Sequence, residues 1–263
     1  MKDLVSKYDI ILQDFNSQIV SKFDENDLKL YNEILFSAHN CGIEGNSFSV
    51  DEARELKEHQ LSTIPMGKTI FETYEMLDHF KAYEYLFADL RLDLMESLLK
   101  KTHEILLKNT LSYRITDAVA GEYTDTDMAV GNTIFGDHKV LIEQVPKLLS
   151  QTQELLEQNT LHPVILSARF HCFFEYLHPF RDGNGRIGRL FASFILAKLK
   201  HPIIVIQREK KIEYLQALQA YKKENSTESI ERFFLNTAIM RMKKELIEKK
   251  NLTNIFRDGF FKD

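Results

Sequence analysis

At 263 residues, 44% of them hydrophobic and 28% charged, the chain has the composition of an ordinary globular protein with a sizeable core. Its 34 Lys and Arg against 39 Asp and Glu leave a formal net charge of -5, which argues against a basic face for nucleic acid. No apolar run approaches the ~20 residues that span a bilayer, and Cys41 and Cys172 form neither a disulfide framework nor a metal-ligand spacing, so a cytoplasmic protein is expected.

The opening MKDLVSKYDIILQDF carries acids inside an apolar pattern and reads as an amphipathic helix rather than a signal peptide. Helical periodicity predicts helices over roughly 5–19, 26–39, 51–60, 68–87 and 91–108. The stretch over roughly 112–140 breaks this pattern. It mixes Thr, Val and Ile with glycines at 121, 131 and 136, which suits a short hairpin or flap. Helical spacing resumes over roughly 142–157. Pro163 suits the first turn of the next helix, whose buried face carries Phe170, Phe173, Phe174 and Leu177. Ile187, Leu190, Phe191, Phe194 and Ile195 then fall on one helical stripe. Two further helices are expected over roughly 211–222 and 227–249, and Ile255, Phe256, Phe260 and Phe261 predict a tail that docks. Ten glycines and five prolines supply little turn chemistry for a many-stranded sheet, and no repeat or linker divides the chain.

The segment His178-Pro-Phe-Arg-Asp-Gly-Asn-Gly-Arg-Ile-Gly-Arg189 lies between two helical stretches and reads as a loop entering a helix. Gly183 and Gly185 let backbone N–H groups turn inward as an anion nest at a helix start. Arg186 and Arg189, three apart, project from one helix face and suit a polyphosphate clamp. Asp182 supplies a hard oxygen for Mg²⁺, and His178 is the nearby group able to accept a proton near neutral pH. Gly183, Gly185 and Gly188 also satisfy a dinucleotide fingerprint, with Glu209 downstream, but no strand pattern precedes them. An EF-hand reading of Asp182-Gly-Asn-Gly fails because Ile187 stands where glycine is required and Ser193 where glutamate is required.

This segment matches every specified position of the Fic signature, His-Pro-Phe-x-Asp/Glu-Gly-Asn-Gly-Arg-x-x-Arg, so the chain resembles the Fic family over about residues 30 to 235. The resemblance implies an all-α bundle with a small β-hairpin flap beside the active site. It implies an inhibitory-helix region at about 30–60, a core at about 95–235, and a C-terminal helix and tail at about 236–263. The implied activity is protein adenylylation, with AMP moving from Mg-ATP to a Ser, Thr or Tyr hydroxyl. By the same resemblance His178 is the base, Phe180 the anchor of the loop, and Asp182 the Mg²⁺ ligand. Gly183, Asn184 and Gly185 would cradle phosphate oxygens, Arg186 the β-phosphate and Arg189 the γ-phosphate, while Tyr214 and the flap are candidate base contacts. The flap, Ala129 to Phe135, would align the target by strand addition.

A second resemblance lies in Asn40-Cys41-Gly42-Ile43-Glu44-Gly45-Asn46, which is similar to the inhibitory motif Ser/Thr-x-x-x-Glu-Gly/Asn, with Asn40 departing from it. It implies that Glu44 pairs with Arg189 and blocks the γ-phosphate. Expected partners are ATP, a protein target and the chain itself as a target, without membrane or nucleic acid; a homodimer controlling the inhibitory helix is a further expectation. Rival readings are removal of AMP with Glu44 positioning water, transfer of another nucleotide or phosphate-linked group, and a non-catalytic nucleotide sensor.

Overall fold

The computed structural model describes residues 1–62, 64–130, 133–134 and 137–258, with backbone alone at 129–130, 133–134 and 250–258. The architecture is all-α. Its helices are α1 (Lys2–Phe15), α2 (Glu25–Ile43), α3 (Val50–His59), α4 (Ile70–Phe87), α5 (Glu96–Leu106) and α6 (Leu111–Arg114). There follow α7 (Leu141–Gln158), α8 (Pro163–Leu177), α9 (Asn184–Lys198), α10 (Lys211–Glu224) and α11 (Glu228–Asp258). Between α6 and α7 two short strands, β1 (Ala129–Val130) and β2 (Thr133–Ile134), pair antiparallel, with Ala129 opposite Ile134. Asp127 accepts from the backbone N–H of His138 at 3.0 Å, which ties the two ends of this hairpin. Gly131, Asn132, Phe135 and Gly136 of the expected flap lie outside the described residues, as do Phe260 and Phe261 of the tail and the side chains of Ile255 and Phe256.

Capping chemistry explains most helix starts. Asp24 caps α2, and Ser49 with Glu52 and Thr69 with Glu72 form capping boxes on α3 and α4. Three boundaries differ from the periodicity. The first helix gives way at Asn16 to a wider π turn through Val20, which keeps Ile19 in the core. Residues 91–95 are excluded from α5, because Asp89 and Gln153 accept from the backbone N–H groups of Arg91 and Leu94. Helix α2 runs on to Ile43, which places Glu44 at its C-cap.

Helices α8 and α9 pack against each other at the centre, with α11 bridging α1 and α8, and α2 lying on α4. Phe170, Phe174, Phe180, Leu190, Phe191 and Phe194 are all buried there. The run Ile203 to Ile206, also buried, forms no strand, so the dinucleotide fingerprint has no sheet to sit on. Both cysteines are buried and free. Among the described residues no helix is long and apolar enough to cross a membrane.

Candidate active site

The loop from His178 to Gly183 exists because two helices stop and start abruptly. Helix α8 ends when His178 adopts a left-handed backbone, φ 48°, and Pro179 prevents its continuation. Helix α9 begins from Gly183, also left-handed at φ 78°, where a Cβ would come within 3.1 Å of Leu107. Phe180 is fully buried between these ends and stacks on His103 at 3.7 Å. The His103 Nδ1 accepts from the Gly121 backbone, so its Nε2 carries the proton and donates to the Asp182 carbonyl at 3.0 Å. Burial holds His103 neutral, down at about 4. Asn184 closes the loop, its amide accepting from Phe180 N–H at 2.9 Å and donating to Phe180 C=O at 2.6 Å. Its side chain is thus spent on shape, and only its backbone N–H at the helix start is left for an anion.

His178, Gly185, Arg189, Tyr214 and Glu44 line one cavity of about 370 Å³, together with Glu175 and the face of α10. Asp182, Gly183, Asn184 and Arg186 are not among its lining residues. Burial lowers His178 to about 4, partly opposed by the neighbouring Glu175 backbone, so the imidazole is neutral and able to take a proton.

Arg186 is 1% exposed and donates to Glu75 of α4 at 2.7 Å. Glu75 also receives Asn46 Nδ2 at 2.9 Å and lies 3.6 Å from Arg114. Asp182 stands inside this charge network. Its Oδ1 accepts from Gly183 N–H at 2.7 Å, and its Oδ2 faces Arg114 at 3.2 Å. A partly exposed carboxylate at the edge of a nest fits Mg²⁺, which binds through one or two carboxylates with phosphates completing its shell.

Arg189 is held from three sides. Glu44 receives its Nη2 at 2.6 Å, Asn40 Oδ1 receives its Nε at 2.5 Å, and Tyr214 Oη accepts its Nη1 at 3.2 Å. Asn40 also donates to the Arg186 carbonyl at 3.1 Å and contacts His79 at 2.6 Å, using side-chain reach that serine lacks. Burial raises the Glu44 carboxyl but Arg189 outweighs it, leaving it below the usual range and ionised. A Cβ on Gly185 would lie 2.5 Å from Glu44 Oε1, so glycine is what lets this pair close over the nest. Tyr214 is 1% exposed; its hydroxyl oxygen accepts from Arg189 and lies 2.7 Å from His171 Nε2, which places it as a support of Arg189 beside the cavity. Sequence reasoning missed His103, Glu75, Arg114, His171 and Glu175; the first three reach the loop through tertiary packing, and the last two stand on α8 just before it with no motif to mark them.

A family model described as "Fic/DOC family" matches residues 92–196. The chain carries a Fic/DOC family domain. The curated protein adenylyltransferase Fic of Culex quinquefasciatus is 30% identical over 190 residues, covering 69% of this chain and 35% of that protein. Its counterpart in Aedes aegypti matches to the same extent, so this chain spans about a third of the length of the curated relatives it matches. Among solved structures, a Fic domain containing signaling protein from Bacteroides thetaiotaomicron superposes with a TM-score of 0.78 at 22% identity. That match covers 95% of this chain and 96% of the other. Fic-1 from C. elegans gives 0.76 at 20% identity, covering 95% and 73%. Both show the fold.

Proposed function

We propose that this Fic chain transfers AMP from Mg-ATP to a Ser, Thr or Tyr hydroxyl of a protein target, and that Glu44 holds the activity in check. The observation that carries the reading is the 2.6 Å Glu44–Arg189 pair closed over Gly185, in the cavity that also holds neutral His178. The adenylyltransferase activity for which those relatives are named supports the same chemistry.

His178 takes the proton of the target hydroxyl as its oxygen attacks the α-phosphate, forming one P–O bond while the bond to pyrophosphate breaks. Backbone N–H groups of the first turn of α9 face the developing negative charge. Bound through Asp182, Mg²⁺ would neutralise phosphate charge. Arg189 anchors the terminal phosphate once Glu44 has left it. Segments about 30–60 act as the inhibitory region on a core at about 95–235. A second reading, removal of AMP, is favoured by Glu44 and His178 sharing one cavity, where Glu44 could position water.

The test is incorporation of α-labelled ATP with Mg²⁺ by wild type, Glu44→Gly and Glu44→Gly/His178→Ala. Label should rise about tenfold or more in the single variant and vanish in the double. Absence of label in all three, with ATP still bound, would overturn AMP transfer. Loss of AMP from a modified target by wild type alone would establish the second reading.

A further inference from the structure

Glu175 has no task in that mechanism. It stands on α8, one turn before His178 and in the wall of the same cavity. Its Oε1 is closed off from solvent and has no hydrogen-bond partner among the described residues. The carboxyl faces Arg189 from α9, Glu44 from the end of α2 and Tyr214 from α10, with His171, Cys172 and His178 along its own helix. Gly188 makes room for it, since a Cβ there would meet Glu175 Oε1 at 3.2 Å and His171 Nδ1 at 3.0 Å. A buried acceptor left unsatisfied is destabilising, so such a group in a ligand-sized cavity calls for a use.

We propose that Glu175 is a reserve counter-ion for Arg189, taking over the guanidinium when Glu44 withdraws and competing there with the terminal phosphate of the nucleotide. The proposal rests on the roles assigned above to Glu44 and Arg189. Two carboxylates face one guanidinium from the walls of one cavity, and Glu175 is the one whose burial favours the protonated form. Burial first, and Glu44 as well, hold its carboxyl up at about 7 against the pull of Arg189. Withdrawal of Glu44 removes one of these two upward causes and leaves Arg189, 3% exposed, short of negative charge. Glu175 then ionises. Arg189 is therefore never a bare cation awaiting phosphate, and the affinity for a γ-phosphate is net of the hold that Glu175 keeps. A nucleotide without that phosphate makes no claim on Arg189 and is indifferent to Glu175.

Calorimetry of ATP and of ADP, each with Mg²⁺, on the full chain tests this in three proteins: Glu44→Gly, Glu44→Gly/Glu175→Gln and Glu44→Gly/Glu175→Met. Glutamine keeps shape and hydrogen bonding, methionine keeps volume, and both remove the charge. Both double variants should bind ATP about tenfold tighter than Glu44→Gly, with ADP affinity unchanged. No gain, an equal gain for ATP and ADP, or a gain confined to glutamine would overturn the counter-ion role. If one variant fails to fold, the ATP and ADP affinities of the other decide. The underlying reading has its own readout, wild type against Glu44→Gly: no gain in ATP affinity there would reject Glu44 as the brake whatever Glu175 does.

Discussion

Arg186 and Arg189 lie on the same turn of α9, yet their surroundings are opposite. Arg186 and its partner Glu75 are 1% and 2% exposed, a pair sealed on both sides. Arg189 is 3% exposed, but its partner Glu44 is 32% exposed. In the first pair neither charge can be left to water, so the contact belongs to the fold. In the second, the carboxylate can exchange its guanidinium for solvent at small cost, so the contact is free to be regulated. A short sequence motif thus contains one arginine with a sealed partner and one with a solvated partner, and the depth of the partner distinguishes them.

The comparison breaks most sharply at the two glutamates. Glu75→Ala strands a buried guanidinium and should cost about 3–5 kcal/mol in urea unfolding, whereas Glu44→Gly should cost no more than about 1 kcal/mol. Equal losses would erase the distinction. Acid should act on both sides by a second route. Burial holds His79 and His171 down at about 3 and His103 and His178 down at about 4, against an ordinary value of 6.5. At these rings the unfolded chain therefore binds the extra protons, so their contribution to stability is complete above pH 6.5 and is lost as pH drops towards 4. Urea midpoints that stay level across this window would contradict the burial of these rings. The smallest effect concerns Asn40, which holds Arg189 through its side-chain oxygen and its backbone carbonyl beside Glu44. Asn40→Ser should raise self-labelling about 2–5-fold, less than Glu44→Gly does, because the backbone bond to Arg189 survives the loss of the side-chain one. A rise matching Glu44→Gly would make Asn40 an equal half of the brake.

Residue type and spacing were enough to bring His178, Gly185 and Arg189 together, because they belong to one loop and helix, and the resemblance to the inhibitory motif added Glu44. The helical stripes likewise gave the bundle, since a buried face must repeat at helical spacing. Other contacts lay beyond reach. Glu75 meets Arg186 across 111 residues of chain, and His103 meets Asp182 across 79, with nothing local to mark either partner. Asn184 shows a subtler gap. Its place between glycines suggested a phosphate contact, but the backbone of Phe180 occupies both ends of its amide, and only coordinates reveal that commitment.

The turn that carries Glu44 has a kinetic consequence. The backbone N–H groups of Glu44 and Asn46 bond to the Cys41 carbonyl, that of Gly45 bonds to Gly42, and Asn46 is tied to Glu75. The segment is therefore fixed while its glutamate side chain remains one-third solvated. Release then needs only rotation about the side-chain bonds, an event of picoseconds to nanoseconds for such groups, and the two positions equilibrate long before a turnover ends. Under the proposed role, inhibition is a tax on apparent ATP affinity, set by the fraction of molecules with Glu44 turned out. Any partner that favours the outward rotamer lowers that tax without moving a helix.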